Sequence, residues 1–338
     1  MCSSCILCSE RKSQSLLGQF TAQELAVLKL GVSTIVSDDI EQKYEDIFHG
    51  IGKLENYKLK FHINSEVEPI AQRMYIIPFT IREKVSRKLD ELESQNIIEK
   101  VNDQTPWVSP VIVVPKPSGD IRLCVDMREA NKVIIRQRHP IPTVDDILHR
   151  MNGGECFSTM DLKYGFHQIE LEESSREITT FVTHKGLYRY KRLMLGISAA
   201  SEKYQQVISQ VFRDIEGVQS ISDDIVVFGR TKEEHDRRLV QDLDRIREKK
   251  LILNKDKCEF GMDNITFMGL MLSKNGIGPT SDRVKDLVNA AEPKNASEVK
   301  SFLGLVNFIA RYIANLATIS EPLRKLTRKN EQFCCVKE

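Results

Sequence analysis

The stretch SISDDIVVFG, residues 220–229, places two adjacent aspartates, Asp223 and Asp224, at the start of an apolar run that is typical of a buried β-strand. Carboxylates are among the side chains least often fully buried, so their place beside such a run needs a reason. A second apolar run, CFSTMD at residues 156–161, also leads to an acid, Asp161. If the two runs are neighbouring strands of one sheet, the three carboxylates converge at one edge of it.

Clustered carboxylates cannot all stay ionised unless a cation compensates their charge. Hard oxygen ligands select Mg²⁺ or Mn²⁺, and two such ions about 3.5–4 Å apart serve in-line displacement at phosphorus. A hairpin turn with both acids in solvent is the alternative for Asp223 and Asp224, and a simple strand-end position is the alternative for Asp161. Taken alone, these residues leave both interpretations open.

Length and composition indicate a globular protein with two or three domains or one divided domain. The chain has 338 residues, of which 41% are hydrophobic and 29% charged, and its formal net charge is +1. A net charge this small does not indicate a nucleic-acid partner. A surface that binds nucleic acid would have to come from basic residues clustered on one part of the protein. No apolar run reaches the ~18 residues of a membrane span, and the N-terminus lacks a secretory signal. We expect a cytoplasmic or nuclear chain that is not secreted and not in a membrane.

Three of the eight cysteines, Cys2, Cys5 and Cys8, lie close together near the N-terminus. A zinc site needs a fourth ligand at suitable spacing, but the next candidate, His49, is distant, and an iron–sulfur pattern would need a cysteine where Lys12 stands. We therefore expect free thiols on a reactive, frayed tail.

Hydrophobic periodicity and turn residues predict helices mixed with antiparallel hairpins, so the expected class is α+β. A helix is predicted from Thr80, where Thr80 and Glu83 form a capping-box pattern. NITFMGLML, residues 264–272, is predicted as one strand before a turn at Asn275-Gly276. The other main predictions are hairpins that turn at residues 116–120 and 185–186, and helices over residues 198–215 and 233–250.

Several motifs follow one another along the chain: VSPVIVVPKPSGDIRLCVDMREANK, PIPTVDDIL, FSTMDLKYGFHQIEL, TTFVTHKGLYRYKRLMLGISAASEKYQQVI, SISDDIVVFG, LNKDKCEF and ITFMGLMLSKNGI. In this order they resemble the reverse transcriptase of gypsy-type LTR retrotransposon Pol polyproteins over roughly residues 55–330. The resemblance implies a right-hand polymerase fold of fingers, palm and thumb with an antiparallel palm sheet. It implies fingers and palm at residues 55–272 and a thumb or connection at 273–338, truncated before ribonuclease H. Residues 1–54, which lie before the resemblance and carry only short helical signals, are expected to form a loosely attached leader.

The same resemblance implies an RNA-directed DNA polymerase that adds dNTPs to a primer 3′-OH by phosphoryl transfer. Two Mg²⁺ or Mn²⁺ ions per site are the implied cofactors, and an RNA or DNA template with its primer is the implied partner. The sequence leaves the oligomeric state open. A non-catalytic nucleic-acid-binding remnant of a retrotransposon is the alternative, because no ribonuclease H follows the polymerase motifs.

The roles of individual residues carry over by motif. Asp161, Asp223 and Asp224 match the catalytic, metal-binding aspartates, and the backbone carbonyl of Leu162 is a further implied metal ligand. Phe166 has the bulk to crowd a ribose 2′-OH, so the resemblance predicts a preference for dNTPs. The other matches are the dNTP-binding residues Lys116, Arg122 and Gly196, the candidate general acid Lys257, and the primer-contacting residues Phe267, Met268 and Gly269. Trp107 and His167 are assigned to packing.

Three positions depart from the family pattern. Ile221 stands where many reverse transcriptases have an aromatic residue, two residues before the aspartate pair. The family's PFG is Met194-Leu195-Gly196 here, and its NAP is the segment 199–201. Proline stiffens a backbone, so its loss predicts altered fidelity and template grip rather than lost metal binding.

Overall fold

The structure is a computed structural model that describes residues 37–136 and 142–328. The α-helices in these ranges are α1 (Ser37–Lys43), α2 (Phe79–Ser94), α3 (Ala130–Val133), α4 (Val144–Arg150), α5 (Ala200–Val211), α6 (Lys232–Glu248), α7 (Ser281–Val288), α8 (Ala296–Phe308) and α9 (Leu316–Lys325). The β-strands are β1 (Lys58–Leu59), β2 (Ile98–Val101), β3 (Ser109–Pro115), β4 (Ile121–Val125), β5 (Cys156–Asp161), β6 (Glu170–Leu171), β7 (Phe181–Thr183), β8 (Gly186–Tyr190), β9 (Val218–Ile221), β10 (Asp224–Gly229), β11 (Glu259–Met262), β12 (Asn264–Phe267), β13 (Leu270–Ser273) and β14 (Gly276–Pro279). The mixture confirms the α+β class.

An antiparallel sheet with the strand order β11-β5-β10-β9 carries the aspartates. Strands β5 and β10 pair along their whole length, from Cys156 opposite Gly229 to Asp161 opposite Asp224. Strand β10 contains a fully buried apolar run, because it lies centrally and both of its faces are covered. The two acids therefore lie at the same end of two central strands.

The stretch 220–229 is a hairpin rather than one strand. Strand β9 ends at Ile221, β10 begins at Asp224, and these two residues pair directly across a two-residue turn. The turn residues are Ser222, whose φ is 52°, and Asp223. Hairpins with two-residue turns require such left-handed backbone, and here strand pairing imposes it on a serine. The hairpin alternative is thus correct for the backbone, although neither aspartate is fully exposed.

A second sheet has the order β2-β8-β7-β3-β4, in which the β3–β7 pair is parallel and the other pairs are antiparallel. The predicted hairpins at residues 116–120 and 185–186 are confirmed as the β3–β4 and β7–β8 connections. The Lys116 N–H donates to the Asp120 carbonyl and the Gly119 N–H donates to the Lys116 carbonyl, which closes the first turn tightly.

Helix α6 packs against the aspartate-bearing sheet, as its apolar periodicity predicts. Leu239, Leu243 and Ile246 are at most 1% exposed and lie in the main core. Full burial of a Leu or Ile side chain stabilises a fold by roughly 1.5–3 kcal/mol, so this face fixes the helix under the sheet.

The expected loose attachment of the leader does not hold for residues 40–54. Ile40, Tyr44 and Ile47 are at most 2% exposed and belong to the main core. The Tyr44 hydroxyl also donates to Asp244 Oδ1 on α6 at 2.8 Å. This segment belongs to the folded body because its apolar side chains complete a core that the later sequence builds.

The predicted capping box of α2 is absent. The helix begins at Phe79, directly after Pro78, and no side chain caps its N-terminus. Thr80 already lies inside the helix, so its hydroxyl is not at the capping position that pairing with Glu83 requires. Pro78 occupies the N-cap position with extended backbone, φ −52° and ψ 137°, and Phe79 is the first helical residue.

The single strand predicted at residues 264–272 is divided. Met268 and Gly269 form a turn between β12 and β13, and strand β14 completes a three-stranded antiparallel sheet. Both turn residues have positive φ, 50° and 77°. Apolar content alone hides such a turn, because methionine is not a residue that favours left-handed backbone.

Beyond β14 the described chain is helical, as predicted, through α7, α8 and α9. Arg311, after α8, donates to Asp145 of α4 and ties this part to the rest of the fold. Within the described ranges, none of the helices combines the length and the apolar character that crossing a membrane requires. Cys2, Cys5 and Cys8, expected on a reactive tail, lie outside the described residues.

Candidate active site

Backbone pairing brings the three predicted aspartates to one edge of the β11-β5-β10-β9 sheet. Asp161 ends β5 and Asp224 begins β10, and the two are direct partners across the strands. Asp223 occupies the adjoining turn, where its carbonyl accepts a 2.9 Å hydrogen bond from the Leu162 N–H. The structure therefore brings together the residues that two separate apolar runs deliver.

The three carboxylates are crowded and incompletely solvated. Burial raises the pKa of Asp223; the Tyr204 hydroxyl opposes this, and the charges of Asp161 and Asp224 add to it. Burial and the charge of Asp161 also raise the pKa of Asp224. Like charges this close favour either protonation or a bound cation, so the cluster is poised to accept positive charge.

Lys257 supplies some of that positive charge. Its Nζ lies 2.9 Å from Asp161 Oδ2, and its side chain is 60% exposed. The hydrogen bond to Asp161 raises the pKa of Lys257, which makes the ammonium a weaker proton donor. A general acid works best when its pKa is near the working pH, so this geometry favours a counter-ion. The general-acid role stays a prediction.

The donor atoms suit a hard divalent cation. Asp223 offers two carboxylate oxygens, of which Oδ1 is buried near the Tyr204 hydroxyl, and carboxylate oxygens are ligands that such cations prefer. The Leu162 carbonyl accepts one hydrogen bond, from the Gly165 N–H at 3.2 Å, and keeps a second lone pair. In the part of the chain that the structure describes, no three acidic, histidine or cysteine side chains already form a metal cage.

A cavity of about 570 Å³ opens in front of the carboxylates. Its wall includes Arg122, Asp161, Phe166 and Asp223. The Phe166 ring is stacked on Tyr204, with centroids 4.5 Å apart and planes inclined by 14°. A volume of this size is ordinary for a small-molecule site. A predicted phosphate ligand, a predicted aromatic gate and two of the three acids face this one space, whereas Asp224 does not line it.

Gly165 lies beside both Tyr204 of helix α5 and the acid Asp223. A Cβ at this position would lie 2.2 Å from the Tyr204 hydroxyl oxygen and 2.3 Å from Asp223 Oδ1. Neither atom can yield without moving a ring or a carboxylate of the cluster. The position therefore requires glycine for reasons of space.

We expect Gly165→Ala to lower nucleotide incorporation by about 100-fold, because displacement of a reacting group by ~1 Å has an effect of that size. The measurement is the rate of dNTP incorporation on a primed template, with circular dichroism to verify folding. Gly304→Ala in α8 is the matched control, since its Cβ meets no atom within 4 Å, and it should retain activity. A folded Gly165→Ala protein with the wild-type rate would contradict the prediction.

The predicted phosphate-binding residues flank the β3–β4 turn. Arg122 is exposed, has no acidic partner among the described residues, and lines both the first cavity and a second one of about 490 Å³. Lys116 lines the second cavity but not the first, and its Nζ lies 3.7 Å from Asp120 Oδ2. The structure thus brings Arg122, but not Lys116, to the cavity that holds the acids. Their phosphate-binding roles stay predictions.

Gly196 lines the second cavity and has φ of 101°. A Cβ there would meet its nearest atoms at 3.5 Å, so backbone conformation rather than crowding requires the glycine. The side chain of Asn131 donates to the Gly196 carbonyl and accepts from the Ser198 N–H, both at 2.8 Å. This clamp holds the segment that lacks the family's prolines, and Asn131 is a residue that the sequence analysis missed.

The predicted primer hairpin, residues 267–269, packs on the aspartate-bearing sheet, on the face opposite to the one that α6 covers. Phe267 is 3% exposed and shares a core cluster with Phe157 and Val226. Ile221, which replaces an aromatic residue of the family, lies in that cluster as well. The apolar substitution therefore keeps the packing, while primer contact by the hairpin stays a prediction.

His167, which is assigned to packing, lies beside the candidate site. It lines both cavities, and its ring is 6.4 Å from that of Tyr164. Burial lowers the pKa of His167 to about 4, so the imidazole is neutral at neutral pH. Trp107 is buried in the main core, as expected.

Comparison with known proteins identifies the region around the acids. Residues 114–272 match the family model described as reverse transcriptase (RNA-dependent DNA polymerase). The chain is 31% identical over 337 residues to the Retrovirus-related Pol polyprotein from transposon 412 of Drosophila melanogaster, which covers 96% of this chain and 27% of the relative. It is also 31% identical over 272 residues to the polyprotein from transposon 297 of the same organism, with 78% and 26% covered. The chain spans about a quarter of the length of these relatives.

Among solved structures, the chain is similar to the foamy viral protease-reverse transcriptase. The TM-score is 0.75 against a complex with double-stranded DNA, at 23% identity, covering 96% of this chain and 55% of that one. It is 0.74 against a complex with an RNA/DNA hybrid, at 22% identity, covering 98% and 43%. These likenesses confirm the predicted polymerase fold.

Proposed function

Because this chain belongs to the reverse transcriptases of retrotransposon Pol polyproteins, we propose that it is an RNA-directed DNA polymerase. It extends a primer 3′-OH with dNTPs on an RNA or DNA template. The gypsy-type subgroup stays a prediction. Members of the family use divalent metal ions, and the choice of two Mg²⁺ or Mn²⁺ ions per site is part of the proposal.

One observation carries the proposal: Asp161 and Asp224 are paired across adjacent strands, with Asp223 between them in the turn. The cavity before them also reaches Arg122 and Phe166. This arrangement offers anionic oxygen ligands, a guanidinium for phosphate oxygens and an aromatic wall in one space. Phosphoryl transfer needs these parts, because its catalysis consists almost entirely of positioning and charge stabilisation.

The chain's own groups have separable tasks. Asp161, Asp223 and the Leu162 carbonyl would hold the metal ions, with Asp224 beside them. The chemistry that bound Mg²⁺ or Mn²⁺ supplies is activation of the primer 3′-OH and neutralisation of the departing pyrophosphate. Arg122 would pair with triphosphate oxygens through its planar fork of N–H donors.

The decisive experiment is dNTP incorporation on poly(rA)/oligo(dT) with Mg²⁺, Mn²⁺ or EDTA. Metal-dependent extension supports the polymerase. A different result would contradict the polymerase proposal: a folded protein that binds the duplex in EDTA but extends no primer in either metal. That result would support the alternative, a non-catalytic nucleic-acid-binding remnant. Binding of the duplex should weaken steeply with salt in both cases, since phosphate contacts release counterions, so affinity alone does not distinguish them.

We expect Phe166→Ala to raise the use of rNTPs relative to dNTPs by roughly 10- to 200-fold, the range over which a change of pocket size discriminates substrates. The ring lines the cavity and cannot retreat, because Tyr204 supports it from behind. The measurement is the ratio of kcat/KM for dTTP and UTP on the same primed template. The matched control is Phe260→Ala, because Phe260 is a partly buried core aromatic residue that does not line the cavity. An unchanged kcat/KM ratio in Phe166→Ala would show that Phe166 does not select against the ribose 2′-OH.

A further inference from the structure

Tyr204 on α5 touches two functional groups of the candidate site at once. The side chain is 1% exposed, so it reaches neither solvent nor substrate directly. Its ring is the stacking partner of Phe166, with 4.5 Å between the centroids. A near-parallel pair of this kind is worth about 0.5–1.5 kcal/mol beyond the buried area, which restrains the position of the Phe166 ring.

The hydroxyl end of Tyr204 reaches the acids. The Tyr204 hydroxyl oxygen and Asp223 Oδ1 both lie close to the point that a Cβ of Gly165 would occupy, at 2.2 Å and 2.3 Å from it. Both oxygens are buried, and neither makes a regular hydrogen bond within the described residues. A tyrosine hydroxyl is protonated at neutral pH and can donate a hydrogen bond.

A protonated hydroxyl beside a carboxylate acts as a hydrogen-bond donor. If it engages Oδ1 of Asp223, the other carboxylate oxygen is directed away from Tyr204 and is available to a metal ion. Groups that hydrogen-bond a ligating carboxylate orient it, and their removal typically weakens metal binding by about 10- to 100-fold.

We propose that Tyr204 is a positioning residue that links nucleotide selection to metal binding: its ring supports Phe166, and its hydroxyl orients Asp223. The inference rests on the proposed function. Because one rigid side chain serves both groups, a change at position 204 affects sugar selection through the ring and metal affinity through the hydroxyl. The two effects are separable by substitution.

Two variants divide these roles. Tyr204→Phe keeps the ring and removes the hydroxyl, so the Mn²⁺ concentration that gives half the metal-induced rise in Tm should increase about tenfold. The dTTP/UTP discrimination of Tyr204→Phe should stay at the wild-type value. Tyr204→Leu removes the ring as well, and discrimination should fall at least about tenfold. Tyr44→Phe removes the hydroxyl of another buried tyrosine, one that donates to Asp244 of α6 and not to the site aspartates; it is the control and should change neither quantity.

The outcomes are decisive for each part. An unchanged Mn²⁺ midpoint in Tyr204→Phe overturns the role of the hydroxyl, and unchanged discrimination in a folded Tyr204→Leu overturns the role of the ring. If wild-type protein extends no primer, the proposed function fails and the sugar-selecting role of the ring falls with it. The Mn²⁺ shift still tests the hydroxyl in that case, because it is read from thermal unfolding and needs no catalysis.

Discussion

Asp223→Asn is expected to reduce nucleotide incorporation by roughly 10³-fold, which corresponds to about 4 kcal/mol of transition-state stabilisation. The substitution keeps the size and shape of the side chain but removes a negative charge from the edge where Asp161 and Asp224 meet. A neutral amide binds a hard divalent cation less strongly than a carboxylate does, because it contributes no negative charge. The measurement is single-nucleotide extension of a primed template in Mg²⁺ and in Mn²⁺.

The same substitution should not weaken the fold. Burial and the neighbouring acids raise the pKa of Asp223, so its ionised form is unfavourable in the folded protein when no metal is bound. Asp223→Asn should therefore unfold in EDTA at the same temperature as the wild type or a higher one. Loss of activity together with a lower Tm would indicate damage to the fold instead.

Asp263→Asn is the matched control for the charge change. Asp263 is exposed in the turn between β11 and β12 and lies outside the cavity. Its substitution removes one negative charge from the same region of the chain and should leave extension unchanged. Equal losses in Asp223→Asn and Asp263→Asn would mean that the rate reports net charge, not the site.

Asp242 should make the wild-type protein less stable as the pH rises from 5 to 8. This residue of α6 is fully buried, and neither of its carboxylate oxygens has a hydrogen-bond partner among the described residues. Burial raises the pKa of Asp242 to about 8, whereas Arg245 lowers it. The unfolded chain releases this proton near pH 4, so between about pH 4 and 8 the folded state binds one more proton than the unfolded state.

The sign follows from that difference. The stability linked to the bound proton is fully present below pH 4 and is lost as the pH rises through the folded-state pKa. Each pH unit in the window lowers the free energy of unfolding by at most about 1.4 kcal/mol, so roughly 3 kcal/mol disappears between pH 5 and pH 7. Asp242→Asn removes the ionisation and should be more stable than the wild type at pH 7, with the gap closing at lower pH.

Urea unfolding of both proteins from pH 5 to 8 measures this gap. The difference between them isolates Asp242, because His167, whose lowered pKa acts with the opposite sign, and the site aspartates are present in both. Asp244→Asn, an exposed acid two residues along the same helix, is the control and should show no comparable gap. A gap that does not change with pH would show that Asp242 does not titrate in this range.

The sequence alone predicted the parts whose signals are local. The apolar periodicity at Leu239, Leu243 and Ile246 predicted α6, since one face of a helix must be buried. The glycine and proline of residues 116–120 predicted the β3–β4 turn, because these residues favour turn backbone. Motif order predicted the family. The apolar run that ends in Asp161 and the apolar run that follows Asp223 and Asp224 predicted the edge where the acids meet.

Other features depend on contacts between distant segments, and no local pattern reveals them. Ser222 and Met268 have positive φ because strand pairing imposes turns there, although neither residue type favours such backbone. The same holds for Asp242, an acid whose helix packs it where water cannot reach.

Tyr204 shows most clearly the difference between what the sequence predicts and what only the tertiary structure determines. Tyr204 lies in a segment that the sequence predicts as helical, but its burial and its contacts with Phe166 and Asp223 exist only because α5 packs beneath the aspartate hairpin. The sequence determined which chemical groups this protein has, the order in which they occur, and the local backbone that carries them. The tertiary structure alone decided which of these groups meet, because burial and repulsion between side chains depend on distances that the chain's order does not contain.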